Sequence, residues 1–319
     1  MELSDRNASV ELDIEDTYVP AYSLNLAELS RTVMRRVRAV KKNQLEVIDL
    51  ETKFNQRVHE LNKEFEPLFN TAFMKRKALV MGEHEPSDNE CDVPLIHALT
   101  PEALKTIEEN APADASPSKG VPDFWLQAMY NTFTLGSLIE EHDAEILKYI
   151  SDITYQSHVN PNGFTLFFHF EENPFFADRI LKKEYEIQIA PEKDDPFSYD
   201  GPMVTKCMGC PIHWYDGKDV TKLEVKDDDT GKKVPVNTFF KFFDEKPQQL
   251  SKDNEDGVNE ATADDFNVGL FIRDELIPRA VLYFTGEKED DYDEEESTDS
   301  GDDEFVEKDD HAKMETMEE

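Results

Sequence analysis

The sequence predicts an α+β protein built on one long amphipathic helix and ending in an acidic tail. Three observations carry that reading. Apolar residues between Leu24 and Val80 recur at steps of three and four, the period switches to two after Asp152, and carboxylates crowd the chain after Gly286. Helical segments that precede an alternating stretch and return after it give an α+β order, not a repeating βα one.

Residues 1–20 are polar and acidic without a sustained period and read as a flexible arm. Residues 21–82 form the helical element. Leu26, Leu29, Val33, Val37, Val40, Val47, Phe54, Val58, Leu61, Phe65 and Leu68 make a coiled-coil-like seam, interrupted by Gln44 and Glu51 and thickened by Leu45, Ile48 and Leu50. A helix from Leu24 to Val80 is about 85 Å long, at 1.5 Å per residue. That exceeds the domain this chain can build, so the seam calls for a second copy and an isologous homodimer. A helical hairpin within one chain is the alternative. Pro67, which lacks a backbone donor, marks the expected bend or break.

Residues 83–286 read as the α+β body. A polar segment leads to a short helix at Pro101–Asn110, then a loop, Ala111–Gly120. Pro122 opens a helix with Phe124, Trp125, Ala128, Met129, Phe133 and Leu135 inward, and a second helix spans Glu140 to about Ile150. ITYQSHV, GFTLFFHFEE and YEIQIA follow as antiparallel strands around Asn-Pro-Asn-Gly and other turns, with Phe164, Leu166, Phe168 and Phe170 on one face. Val220–Lys226 and Lys233–Thr238 flank a charged tip, DDDTGK. FFKFFDE and a final helix through Val268, Phe271, Ile272, Leu276 and Ile277 close the body.

Residues 287–319 hold eighteen Asp or Glu against three Lys, about −15 of the formal −37, so the remainder carries about −22. Such a block stays disordered because it cannot bury enough apolar surface to offset chain entropy. An acidic body and tail repel DNA and anionic membrane and attract basic proteins, histones first among them. No basic and apolar leader opens the chain, and no apolar run reaches the roughly 18 residues of a membrane span. Three cysteines fit a reducing compartment. Cys207-Met-Gly-Cys210 with His213 supplies three ligands but no second pair, so it reads as a turn before a strand near Ile212, with no metal. No phosphate-cradling glycine loop, nucleophile elbow or zinc-protease motif is present, so no catalytic residues or cofactor are expected. His169 reads as a sheet-surface residue.

GVPDFWLQAMYNTF (Gly120–Phe133), LKYISDI (Leu147–Ile153), GFTLFFHFEENPFF (Gly163–Phe176), FFKFFDE and IRDELIPRAVLYFTGE (Ile272–Glu287) occur in one order between Gly120 and Glu287, and the likeness runs from about Leu24 through the acidic tail. Together they resemble the nucleosome assembly protein family of histone chaperones. The resemblance implies a homodimer on the long helix, α+β earmuff domains forming a dome with a histone-binding underside, and shuttling between cytoplasm and nucleus with import receptors. Two departures stand out: the hairpin Lys222–Val236 has its basic residues diluted by Asp, and the last residues, METMEE, lack the prenylation-type cysteine of some relatives.

The expected histone-binding residues follow. In the tail, Tyr292 with Asp293, Glu294, Glu295 and Glu296, and Phe305 with Asp302, Asp303 and Glu304, pair an apolar anchor with carboxylates for Lys and Arg. On the body, Glu171, Glu172, Asp264, Asp265, Asp274 and Glu275 flank the strands and final helix. Ser300 precedes Asp303 by three, and Ser87 precedes Glu90 likewise, the spacing of acid-directed kinases. Rival readings are an acidic signalling adaptor or phosphatase inhibitor, and a transport adaptor that ferries histones. LEVIDL (Leu45–Leu50) has the pattern of an export signal but reads as helix core.

Overall fold

The computed structural model describes residues 29–111, 119–226, 233–244, 248–249 and 260–290. Helix α1, Arg31–Val80, is one element of 50 residues, about 75 Å at 1.5 Å per residue. The Ser30 hydroxyl caps its start by accepting the Val33 N–H at 3.3 Å. Gly82, at φ 61°, ends it, with its N–H on the Leu79 carbonyl and that of Glu83 on Ala78. The alternative of a hairpin is therefore excluded, and Pro67 does not break the helix. The chain on both sides of Pro67 is tied to the body: Glu66 accepts the Ser157 N–H and Phe73 enters the core. Those contacts outweigh the loss of one helical donor.

Short helices follow: α2 (Pro101–Glu109), α3 (Phe124–Tyr130), the single turn α4 (Phe133–Gly136) and α5 (Glu141–Leu147). The helix expected from Pro122 is thus divided at Thr132, whose hydroxyl caps α4 by accepting the Leu135 N–H at 3.1 Å. That turn rotates Phe133 outward, 57 % exposed, contrary to its expected place in the core.

The sheet has strands β1 (Ile150–Val159), β2 (Asn162–Phe170), β3 (Ile180–Gln188) and β4 (Met203–Met208), with β5 (Glu224–Lys226) and β6 (Lys233–Pro235) as a separate hairpin and β7 (Gln248–Gln249) beyond β4. All pairs are antiparallel, in the order β1-β2-β3-β4-β7. Register places Ile153, Phe168 and Leu181 in one row and Phe164 beside Tyr185 in another. Phe164, Leu166, Phe168 and Phe170 are all buried, as their alternation predicts. β4 was not expected, and it overturns the reading of Cys207 as part of a turn. Cys207 is a buried strand residue, and burial pushes its thiol up to about 12.

The core face is covered by a 3-10 turn, Phe239–Phe243, and by α6 (Glu260–Phe271) and α7 (Ile277–Phe284). Phe239 and Phe243 pack edge-on to Phe168, at 6.0 and 5.1 Å between centroids. Asp143 holds this turn by accepting the Thr238 hydroxyl and the Phe239 N–H, the latter at 2.8 Å. Between α6 and α7, Ile272–Leu276 winds as a π-helix, which lets both Ile272 and Ile277 be buried at a spacing of five. Gly269 is required where α6 meets β3, because a Cβ there would stand 2.4 Å from the Tyr185 ring. No described helix is long and apolar enough to cross a membrane.

Candidate functional site

Helix α1 has two unlike faces. Ile48, Glu66, Phe73 and Val80 turn toward the body. This face covers the open edge of β1, where unpaired strand groups would otherwise recruit another strand. Glu66 accepts the Ser157 N–H at 2.7 Å, and the His59 ring bonds to the His158 carbonyl. The other face carries the seam. Val33, Val37, Val40, Val47, Phe54, Val58, Leu61 and Phe65 are between 37 and 69 % exposed, and Leu29 is half-buried. Leu26 lies outside the described residues. A continuous apolar stripe of this length is far more than a scattering of surface side chains.

The body carboxylates separate into three groups. Glu171 and Glu172 are exposed after β2, beside Lys77 and Glu83 of the α1 end, and Glu172 pairs with Arg179 at 3.1 Å. Asp274 and Glu275 lie on the π segment. Arg273 grips both oxygens of Asp274 at 2.7 Å, while Glu275 pairs with Arg279 at 3.1 Å and Lys288 at 2.7 Å. Asp264 is exposed on α6. Its neighbour Asp265 differs in kind: its carboxylate accepts Lys183 Nζ at 2.6 Å and the Tyr185 hydroxyl at 2.8 Å. Lys183 is only 3 % exposed, on the core face of β3. Asp265 thus neutralises a buried cation, and burial, with Asp265 beside it, raises the Tyr185 hydroxyl well above the usual phenol range.

The tail candidates Tyr292, Asp293, Glu294, Glu295, Glu296, Asp302, Asp303, Glu304 and Phe305, and Ser300, lie outside the described residues. The described chain ends with an anchor that the sequence did not reveal. Asp290 accepts the N–H groups of Phe133 and Thr134 at 2.6 and 2.7 Å, and Glu287 accepts the His97 N–H at 2.8 Å. These bonds to His97 and Thr285 hold Glu287 below the usual carboxylate range. Ser87 is exposed, and its N–H and hydroxyl both bond to Glu90, which they draw down to about 2.

A second feature invisible in sequence joins α1 to α3 and α7. Arg76 stacks over the Phe73 and Trp125 rings, 4.8 Å from each centroid, and donates to the Ile277 carbonyl. Burial pushes the nearby Asp152 carboxyl up to about 6, against the pull of Arg76 and Lys77. His169, the cross-strand partner of Asp152 on the same face of the sheet, bonds to Thr154 at 2.9 Å, and burial lowers its pKa. Among the described residues, no group of three or more His, Cys, Asp or Glu is placed to hold a metal ion.

Residues 35–287 match the model of the family described as nucleosome assembly protein (NAP). The chain is 36 % identical over 293 residues to nucleosome assembly protein 1-like 1 of Xenopus tropicalis, covering 85 % of this chain and 74 % of that one. It is 36 % identical over 296 residues to nucleosome assembly protein 1-like 4 of Homo sapiens, covering 86 % and 78 %. Among solved structures, nucleosome assembly protein 1 from Plasmodium knowlesi superposes with a TM-score of 0.51 at 27 % identity, over 81 % of this chain and 99 % of that one. Motif order, the long helix on an α+β body and these matches converge: the chain belongs to the nucleosome assembly protein family.

Proposed function

We propose that the protein is a histone chaperone that acts as a homodimer through the α1 seam and works by binding, without ATP. The observation that carries this reading is the formal charge of −37 on a chain of this family. Core histones are the basic partners such a field attracts. Exposed carboxylates at Glu171, Glu172, Asp264 and Asp274, with the half-buried Glu275, provide contacts on the body, while Tyr292 and Phe305 with their flanking acids provide contacts in the tail. Asp265 is reserved for the fold by its bond to Lys183. Pairing two seams buries apolar stripes that a single chain leaves in water, and supplies the hydrophobic term for a stable dimer.

Function then follows from competition. The chaperone screens histone charge and prevents non-productive contacts with DNA. It yields to the wrapped nucleosome, whose many phosphate contacts supply the larger electrostatic term. The protein acts in nucleus and cytoplasm, with import receptors as further partners.

Binding of purified core histones to the full chain and to a chain ending at Asp290 tests this, across a salt series with mass measured in solution. Salt-sensitive binding by a two-chain particle, weakened but not abolished by truncation, is the expected result. No binding by either chain at moderate salt overturns the reading and favours an acidic signalling adaptor.

A further inference from the structure

Between the second half of α1 and the helical cover lies a cavity of about 540 Å³. Phe69, Tyr155, Phe266 and Leu270 give it apolar walls, and Arg273 and Arg279 bring two guanidinium groups to its lining. Asp274 is the one acidic residue among its lining. Arg273 spends its guanidinium on both oxygens of Asp274, so the positive charge left to the lining is that of Arg279.

Arg279 is set for an anion. It follows Pro278 and departs from helical geometry inside α7, with φ −123° and ψ 22°. Its bonds to the Asp274 carbonyl at 2.7 Å and to Glu275 at 3.1 Å both use Nη1. A guanidinium carries five N–H donors, so one nitrogen does not exhaust it.

The chain itself contains a matching ligand. Asp302-Asp303-Glu304-Phe305-Val306-Glu307 places an aromatic and an aliphatic side chain among four carboxylates. Its tether begins nearby in the chain: Asp290 is fixed to α4, eleven residues after Arg279, which itself lies inside α7. Phe305 lies fifteen residues beyond Asp290, a reach of about 50 Å when extended. Tyr292, two residues beyond it, has a tether of only about 7 Å, so Phe305 has the longer reach of the two aromatic residues.

We propose that the acidic tail docks Phe305 in this cavity when no basic partner is present, with a flanking carboxylate on Arg279. Tethering makes the contact intramolecular, at an effective concentration of order millimolar, so a weak contact suffices. A basic partner must then displace the tail, which sets a threshold against weakly basic proteins.

The test uses the full chain alone, with p-benzoylphenylalanine in place of Phe305, irradiated without histones and mapped by mass spectrometry. Adducts on residues 58–73 and 266–279 are expected. Arg279→Glu should lower their yield about tenfold, the loss of one charge-assisted pair, and Arg279→Lys should restore most of it. A peptide of residues 298–312 in excess should compete, and a scrambled peptide of equal charge should not. Adducts spread over other surfaces, a yield unchanged by Arg279→Glu in a chain of unaltered circular dichroism, or equal competition by the scrambled peptide would each overturn the proposal. Because histones are absent, docking can fail while chaperone binding stands, and the reverse.

Discussion

Asp265 Oδ2 lies 2.6 Å from Lys183 Nζ, and this bond fastens α6 to the centre of the sheet. Lys183 also donates to the Phe242 carbonyl at 2.7 Å and stands 4.7 Å from the centroid of that ring. One ammonium thus joins strand, 3-10 turn and helix. Removing one partner of such a buried pair leaves an uncompensated charge, and that penalty exceeds the net worth of the pair itself.

Asp265→Ala should therefore cost about 3 kcal/mol or more of stability, read from urea unfolding. Histone binding per folded molecule should be unchanged. A folded Asp265→Ala protein with normal stability and weakened binding would return this residue to the binding surface.

Phe54→Glu combined with Leu61→Glu should convert a two-chain particle to one chain without unfolding the body, since both side chains are exposed in the single chain. Light scattering after size exclusion measures it. Ile48→Glu should behave differently: Ile48 faces the body at 4 % exposure, so the loss appears in thermal stability.

Asp152→Asn should stabilise the fold at neutral pH. The Asp152 carboxyl titrates near 6 in the folded chain, against about 4 when unfolded. The folded state binds that proton more readily, so the stability it contributes is full below about 4 and is lost as pH rises through about 6. Asparagine, neutral throughout, should gain about 1–3 kcal/mol over wild type at pH 7, and that advantage should vanish near pH 4. Unfolding curves at the two pH values decide it, and an equal gain at both contradicts the account.

Asp290→Ala should free the tail at its root. Hydrogen exchange at the Phe133 and Thr134 amides should speed up about tenfold, as expected for loss of charge-assisted acceptors. Exchange at Ile153 and Leu166, in the sheet, should not change.

Much of the fold was legible because periodicity records burial directly. Phe164, Leu166, Phe168 and Phe170 alternate, and all four are buried. The α1 seam steps by three and four and lies on one exposed face. β4 was missed because only Val204 and Cys207 of its six residues are buried, three apart, so strict alternation is absent. Phe133 was misplaced because a helical count assumes an unbroken helix, and the Thr132 cap restarts it.

The candidate site was less legible, since Asp264 and Asp265 are the same residue type in adjacent positions. One faces water and the other accepts a lysine 82 positions away. The sequence alone determined the charge of the protein, the apolar stripe along α1 and the motif order of its family, because these depend on composition and local spacing. Only the tertiary structure decided which carboxylates are free, how Asp290 roots the tail, and where Arg273 and Arg279 meet an apolar cavity. Those outcomes depend on side chains brought together from distant segments, and no local pattern encodes such distances.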